Sequence, residues 1–382
     1  MNEHTPLALN VEVRLQQPGL DVQAQFRVRP GHVCAVIGRP GAGKSALAQS
    51  LVGMLPVKGG RITLGSEVLF DASTGVNLPP EKRRVGWLDG EGLLFGHMTV
   101  QENLHFGWKR HKQPRHGLSP SSVIECLHLG AILPLRPYQL TVLQRQKVAL
   151  GRALLASPEA LVLHHPLDEL PAHEQHEFQD LLADALQRWP MPVVLVTTHM
   201  DEVVRLADEV VILHEGRVAS AGAVSKVLSD VSLTTFLDGP QAGFVLEGLV
   251  RHHDIDWLLS EVDVAGQRIS VPAVVTGEGK RVRMKLRARD ANIHLSPLQD
   301  PGVSNELRGR ITQIMLAGDH GSYGAVVVSL HQFIDAHDPA LWEAHTVWAL
   351  LTRRSIQQMK LAPGMDCYVS FKAMAVTVSP RP

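Results

Sequence analysis

A chain of 382 residues, 45% of them hydrophobic, is long enough for two or three domains and apolar enough to give each a core. Its 37 Lys+Arg against 38 Asp+Glu give a formal net charge of -1, which supplies no bulk electrostatic reason to bind nucleic acid or an anionic membrane. Three widely spaced cysteines, Cys34, Cys126 and Cys367, form no CxxC pair, which argues for a reducing compartment and against a disulfide framework or a cysteine zinc site.

The N-terminus, MNEHTPLALN, lacks a basic stretch followed by an apolar core, so no secretory signal is expected. No apolar run reaches the roughly 18–20 residues that a membrane helix needs, so work at a membrane is expected to go through a docked partner. Residues 1–37 alternate apolar and polar and then become a solid apolar run, Val33-Cys34-Ala35-Val36-Ile37. That pattern predicts strands ending in a buried central one. A glycine-rich turn follows, then an apolar segment of helix length from Ala46 to Leu55, then a further strand over 61–70. Residues 88–150 read as mostly helical, with a loop around 113–117. Two short apolar strands, 160–163 and 193–196, flank a helix near 172–189, and a third, 210–213, precedes the turn His214-Glu215-Gly216-Arg217. Strands alternating with helices imply an α/β fold with a parallel sheet covered on both faces.

After about residue 235 the texture changes. Residues 271–275 and 282–287 read as short strands joined by a turn, and Pro272 demotes the first to an edge strand or a strand start. Residues 308–330 and 366–380 also read as strands, so this half looks like small β-barrel material. Ser296, Pro297, Pro301, Gly302 and Ser304 mark 295–305 as a linker. The expected division is 1–235, a connecting β-rich segment 236–298, and a terminal domain 299–382.

Gly38-Arg39-Pro40-Gly41-Ala42-Gly43-Lys44-Ser45 fits G-x-x-x-x-G-K-[ST] in full, between an apolar strand and a helix. The glycines let backbone N–H groups turn toward phosphate oxygens, and the helix that follows points its positive end at the same anion. Lys44 is placed to reach the β- and γ-phosphates of ATP, and Ser45 to ligate Mg²⁺.

Several segments beyond this loop resemble one P-loop family. Residues 140–158, LTVLQRQKVALGRALLASP, resemble the signature helix of ABC-transporter ATPases. Val196-Thr197-Thr198-His199-Met200-Asp201-Glu202 resembles the switch-histidine segment, and Met98-Thr99-Val100-Gln101-Glu102-Asn103-Leu104 the entry to the helical subdomain. Leu206-Ala207-Asp208-Glu209-Val210 and Glu215-Gly216-Arg217 resemble the end of such domains. In the C-terminal half, 305–311, 352–355, 361–365 and 371–376 look like a molybdate-binding barrel of the TOBE or Mop type. The combination is similar to the ATP-binding subunit of a molybdate importer. The resemblance implies a P-loop NTPase domain with a helical subdomain, followed by an all-β OB-like barrel region. It also implies ATP and Mg²⁺ as cofactors, a membrane permease and a second nucleotide-binding subunit as partners, and a peripheral place on the cytoplasmic face of the plasma membrane. Asn305, Ser355 and Lys372 are its candidate oxyanion-binding residues, although Gly302 and Met374 stand where the family often has serine.

The sequence departs from that pattern where hydrolysis is expected to occur. His164-His165-Pro166 stands where Asp-Glu-Pro is expected. An imidazole is a poor ligand for Mg²⁺, which demands oxygen, but it can act as a general base. Candidate catalytic residues are therefore His165 and the retained switch residue His199. Val142 and Leu143 replace two signature glycines, Gly90 an expected Gln, Pro171 an expected Asp, and Leu20 an adenine-stacking aromatic. Phosphoryl transfer depends on positioning and charge stabilisation. Whichever partner this chain meets, both composite sites of the dimer lack something, so nucleotide binding is expected with weak or absent hydrolysis. A cytosolic molybdate or tungstate sensor that keeps the scaffold for dimerisation is the alternative reading. His173 and His176 read as a solvated helix face, Lys109-Arg110-His111-Lys112 as an exposed helix end, Trp87 and Trp108 as packing residues, and 331–348 as an insertion.

Overall fold

The computed structural model describes residues 7–17, 19–109, 117–236, 243–274, 276–298, 305–316, 322–331 and 345–380. The chain divides into two compact units, Met1–Gly222 and Ala223–Arg381.

The first unit is built on one 11-stranded sheet. At its centre lies Val33–Ile37, a strand buried along its whole length, as an uninterrupted apolar run requires. Glu209–His214 pairs with it in parallel on one side and Val193–Val196 on the other. Ala160–His164 and then Val85–Asp89 continue the parallel sheet outward. The register sets Asp89 beside His164, and His164 beside Val196. Beyond Glu209–His214 the sheet turns antiparallel, with Leu9–Gln17 paired to Leu20–Val28 and to Gly59–Leu64. Leu9, Val11, Val13 and Leu15 are buried at every second position, the period of a strand with one covered face. The single strand expected over 61–70 is a hairpin of Gly59–Leu64 and Glu67–Asp71, because Gly65 turns the chain at φ 60.

Between positions 88 and 150 the chain forms helices Val100–Trp108, Pro120–Cys126 and Val142–Leu155, with short 3₁₀ turns between. Residues 113–116 of the expected loop, and 110–112 of the basic run, lie outside the described residues. The helix Ala172–Arg188 matches its expected span closely.

The second unit contains two five-stranded sheets around a common core that includes Phe244, Val262, Leu286, Leu307, Val328, Trp348 and Val369. The strand Gln267–Pro272 lies at a sheet edge and ends on its proline, which has no N–H to donate. Thr377–Pro380, from the end of the chain, pairs with Arg281–Arg287. Residues 299–304, including Gly302, lie outside the described residues, as do 332–344. The last residues of the expected insertion, 346–348, belong to the strand Thr346–Thr352, and Trp348 sits in the core.

The helix after the phosphate loop, Lys44–Val52, ends at Gly53 with φ 85. Its last carbonyls are capped by a guanidinium. Arg83, 1% exposed, donates to Ser50 O at 2.6 Å and Leu51 O at 3.0 Å. The same side chain holds Leu78 O and Asn77 Oδ1 at 2.8 and 2.9 Å. A cation at a helix C-terminus also meets the negative end of the helix dipole. Arg83→Met strands those acceptors in the interior and should lower unfolding free energy by about 2–4 kcal/mol, read from urea denaturation.

Candidate functional site

The loop from Gly38 to Ser45 leaves the C-terminal end of the central strand, where open α/β sheets place ligands. Gly38, Gly41 and Gly43 have φ of 149, 81 and 101, and a Cβ at Gly38 would lie 2.2 Å from Leu213 O. Only glycine satisfies that backbone without strain. Lys44 lies across the loop, its amine donating to Gly38 O at 2.8 Å and Arg39 O at 3.1 Å. A Cβ at Gly43 would lie 2.5 Å from Val22 and 3.3 Å from Leu20, so Leu20 stands against the loop as an aliphatic flank with no aromatic face.

His164 closes the strand Ala160–His164, and its imidazole spans two elements. Nδ1 lies 3.1 Å from Asp89 Oδ2 and Nε2 lies 3.0 Å from Ser45 Oγ. Because the carboxylate accepts from Nδ1–H, the neutral ring offers Nε2 as acceptor to the Ser45 hydroxyl. Trp87 stacks on the ring, centroids 5.1 Å apart with planes at 21°.

His165 takes a left-handed backbone, φ 51, and its N–H donates to Val196 O. Its Nδ1 lies 3.1 Å from Asp168 Oδ2, and the other oxygen of that carboxylate lies 3.0 Å from His199 Nε2. The two candidate catalytic histidines thus share one carboxylate. Burial holds the His165 pKa below the ordinary imidazole value, opposed by Asp168 and aided by His164 and Lys44. His199 itself stands half-buried at the N-cap position of the helix Met200–Leu206, without a side-chain cap hydrogen bond.

Position 90 is closed to any side chain. Gly90 N donates to His164 O, and a Cβ there would lie 2.2 Å from His165 O. The missing Gln is thus a steric consequence of how the 85–89 strand meets the His-His loop. Gln146, 1% exposed, fixes that meeting by donating to Asp89 O and Pro166 O. Pro171 precedes the helix Ala172–Arg188 without a side-chain cap.

The signature segment opens on a capped helix. Thr141 caps the helix Val142–Leu155, its hydroxyl accepting from Gln144 N while Gln144 Oε1 accepts from Thr141 N. This reciprocal box satisfies in cis two backbone donors that an anion would otherwise bind. Leu143, in place of glycine, is buried.

Of the oxyanion candidates, Asn305 is buried, its amide accepting from Ser270 N at 2.6 Å and donating to Ser270 O at 2.7 Å. Both ends of that side chain serve the barrel. Ser355 sits in the first turn of Arg353–Gln358, hydroxyl to hydroxyl with Thr352 at 2.9 Å. Lys372 is exposed and directly follows Phe371, the strand partner of Asn305. His173 and His176 are both exposed on their helix.

Asp89 and Asp168 escaped the sequence reading, and Gln146 and Glu202 entered it only as parts of family-like segments, with no role. The signal for the first two was available: each lies beside a lost acidic or amide position, one residue before Gly90 and three after His165.

A family model described as ABC transporter matches residues 22–168, and one for the TOBE domain matches residues 340–378. The chain is 34% identical over 368 residues to the molybdenum import ATP-binding protein ModC of Rhodospirillum rubrum, covering 96% of this chain and 97% of that one. It is 32% identical over 369 residues to the protein of the same name from Brucella melitensis, covering 96% and 97%. Against ModC 1 of Azotobacter vinelandii the figures are 30% over 372 residues, 94% and 99%.

Glu202, fully buried behind this site, has its pKa raised to about 8 from 4.5, chiefly by burial and also by the Asp168 charge, while the Thr197 hydroxyl opposes. A folded pKa above the unfolded one means stability is greatest below pH 4.5 and is lost as pH rises through about 8. Glu202→Gln, isosteric with the protonated carboxyl, should flatten that loss. Thermal unfolding at pH 8 should show it more stable than wild type by on the order of 1–3 kcal/mol, with little difference at pH 4.

Proposed function

The chain belongs to the family of molybdenum import ATP-binding proteins, and from that premise we propose that it is the ATP-binding subunit of a molybdate importer that holds nucleotide and turns it over slowly or not at all. The complete P-loop, with Lys44 laid across it, supports binding. The single observation that carries the second half is the pair of imidazoles at 164 and 165, the first hydrogen-bonded to Asp89 and the second 3.1 Å from Asp168, where Asp-Glu is expected.

Hydrolysis needs a group to take a proton from the attacking water and donors to stabilise the transferring phosphoryl group. The nearest base is His165. Its lowered pKa keeps it neutral at neutral pH but makes it a weak base. Loop amides and Lys44 still hold the phosphates. The signature helix of a second copy would bring Val142 and Leu143 in place of two glycines, so bulkier side chains crowd the backbone's approach to phosphate. Binding geometry is thus retained while both sources of transition-state stabilisation are weakened.

The subunit docks as a dimer on the cytoplasmic face of a membrane permease. Among the described residues no helix is long and apolar enough to cross a membrane, which suits a docked role. In the C-terminal unit, Ser355 and Lys372 are the proposed oxyanion contacts. Asn305 contributes by holding the strand that carries its neighbours, since its amide is committed to Ser270.

Steady-state phosphate release from the purified protein, alone and with its permease, tests this reading. The expected rate is at least about a hundredfold below that of an importer with an intact Asp-Glu pair, a deficit of about 2.7 kcal/mol in transition-state stabilisation. A rate in the ordinary range that Lys44→Ala abolishes would contradict it.

A further inference from the structure

Resting on the nucleotide-binding reading above, we propose that this P-loop takes ATP as the metal-free anion and gains no affinity from magnesium. Mg²⁺ demands a near-octahedral shell of oxygens at about 2.0–2.1 Å. Ser45 supplies one hydroxyl, and the positions that surround it supply no second side-chain oxygen. At position 90 there is no side chain, and the 2.2 Å approach of a Cβ to His165 O leaves no room for one. At position 164 the nearest atom to Ser45 Oγ is an imidazole nitrogen, at 3.0 Å.

Carboxylates are present nearby, but the histidines hold them away from that spot. Asp89 meets Nδ1 while Ser45 meets Nε2, so the ring stands between the two oxygens. An ion within bonding distance of Ser45 Oγ cannot also touch Asp89. Trp87, stacked on the ring, opposes its swinging aside. Asp168 is shared by His165 and His199. The residues present therefore offer a magnesium ion one hydroxyl and leave its other ligands to phosphate and water, so the protein adds little to its hold.

They do fit a bare triphosphate. The loop's amides, the amino end of the helix Lys44–Val52 and the Lys44 ammonium supply positive potential without an ion. An Asp at 164 would repel an uncomplexed triphosphate, whereas an imidazole adds no negative charge facing it. The replacement that removes the metal's ligand also removes the need for the metal as a shield.

Calorimetric titration of ATP into the full-length protein, in excess EDTA and again in excess Mg²⁺ at one pH, tests this directly. The two Kd values for wild type should agree within about threefold. His164→Asp should weaken binding in EDTA and acquire a preference of about tenfold or more for the magnesium complex. Wild-type binding that tightens by about tenfold or more with Mg²⁺ overturns the inference and leaves nucleotide binding standing. Absence of binding in both conditions overturns that reading as well. A folded His164→Asp variant as indifferent to magnesium as wild type removes His164 as the cause. The wild-type comparison decides alone if the variant does not fold.

Discussion

Two hydrogen bonds in line, from the Asp89 carboxylate through the His164 ring to the Ser45 hydroxyl, tie the nucleotide loop to the neighbouring strands of the sheet. A half-buried imidazole with a carboxylate on one nitrogen has one favoured neutral tautomer, so the other nitrogen must accept. The hydroxyl at the start of the P-loop helix is thereby oriented toward the strand end. The parallel register makes this possible, since it sets Asp89 and His164 side by side at adjacent strand ends. Strand pairing positions the carboxylate, the carboxylate positions the ring, and the ring positions the serine.

The same logic repeats one residue on, where Asp168 engages both His165 and His199. Expected acids at 164 and 165 are imidazoles, and carboxylates stand at 89 and 168 instead. That arrangement is internally consistent. His164 is oriented by two hydrogen bonds, Gln146 braces both segments, and Gly90 makes the close approach possible. Each altered residue has a partner that fits it, which is the mark of a site that folds to one structure. On the proposed reading the cost falls on hydrolysis, because imidazoles stand where an Asp-Glu pair is expected.

Much of the fold was legible in the sequence because its signals are local. The solid apolar run at 33–37, the alternating strand at 9–15 and the glycines at 38, 41 and 43 each dictate their own geometry. The hairpin at 59–71 was read as one strand because Gly65, a single turn residue, is a weaker signal than the apolar residues around it. The P-loop was visible for the same reason as the strands: its chemistry lives in consecutive residues. Asp89 and Asp168 stand beside lost positions, but their partners were not legible, since one lies 75 residues away and the other arises from a shared carboxylate. Asn305 was read as the end of a linker, yet it opens the strand Asn305–Leu316, and its burial against Ser270 is a long-range contact that no local pattern announces.

The central claim is that the imidazole-for-carboxylate exchange preserves nucleotide binding while disabling cleavage. Incubation of the protein with ATP, rapid removal of free nucleotide, acid quench and chromatography of what remains bound would test it most directly. The account predicts that the retained nucleotide is ATP and remains so over many minutes. Recovery of bound ADP with stoichiometric phosphate would contradict it.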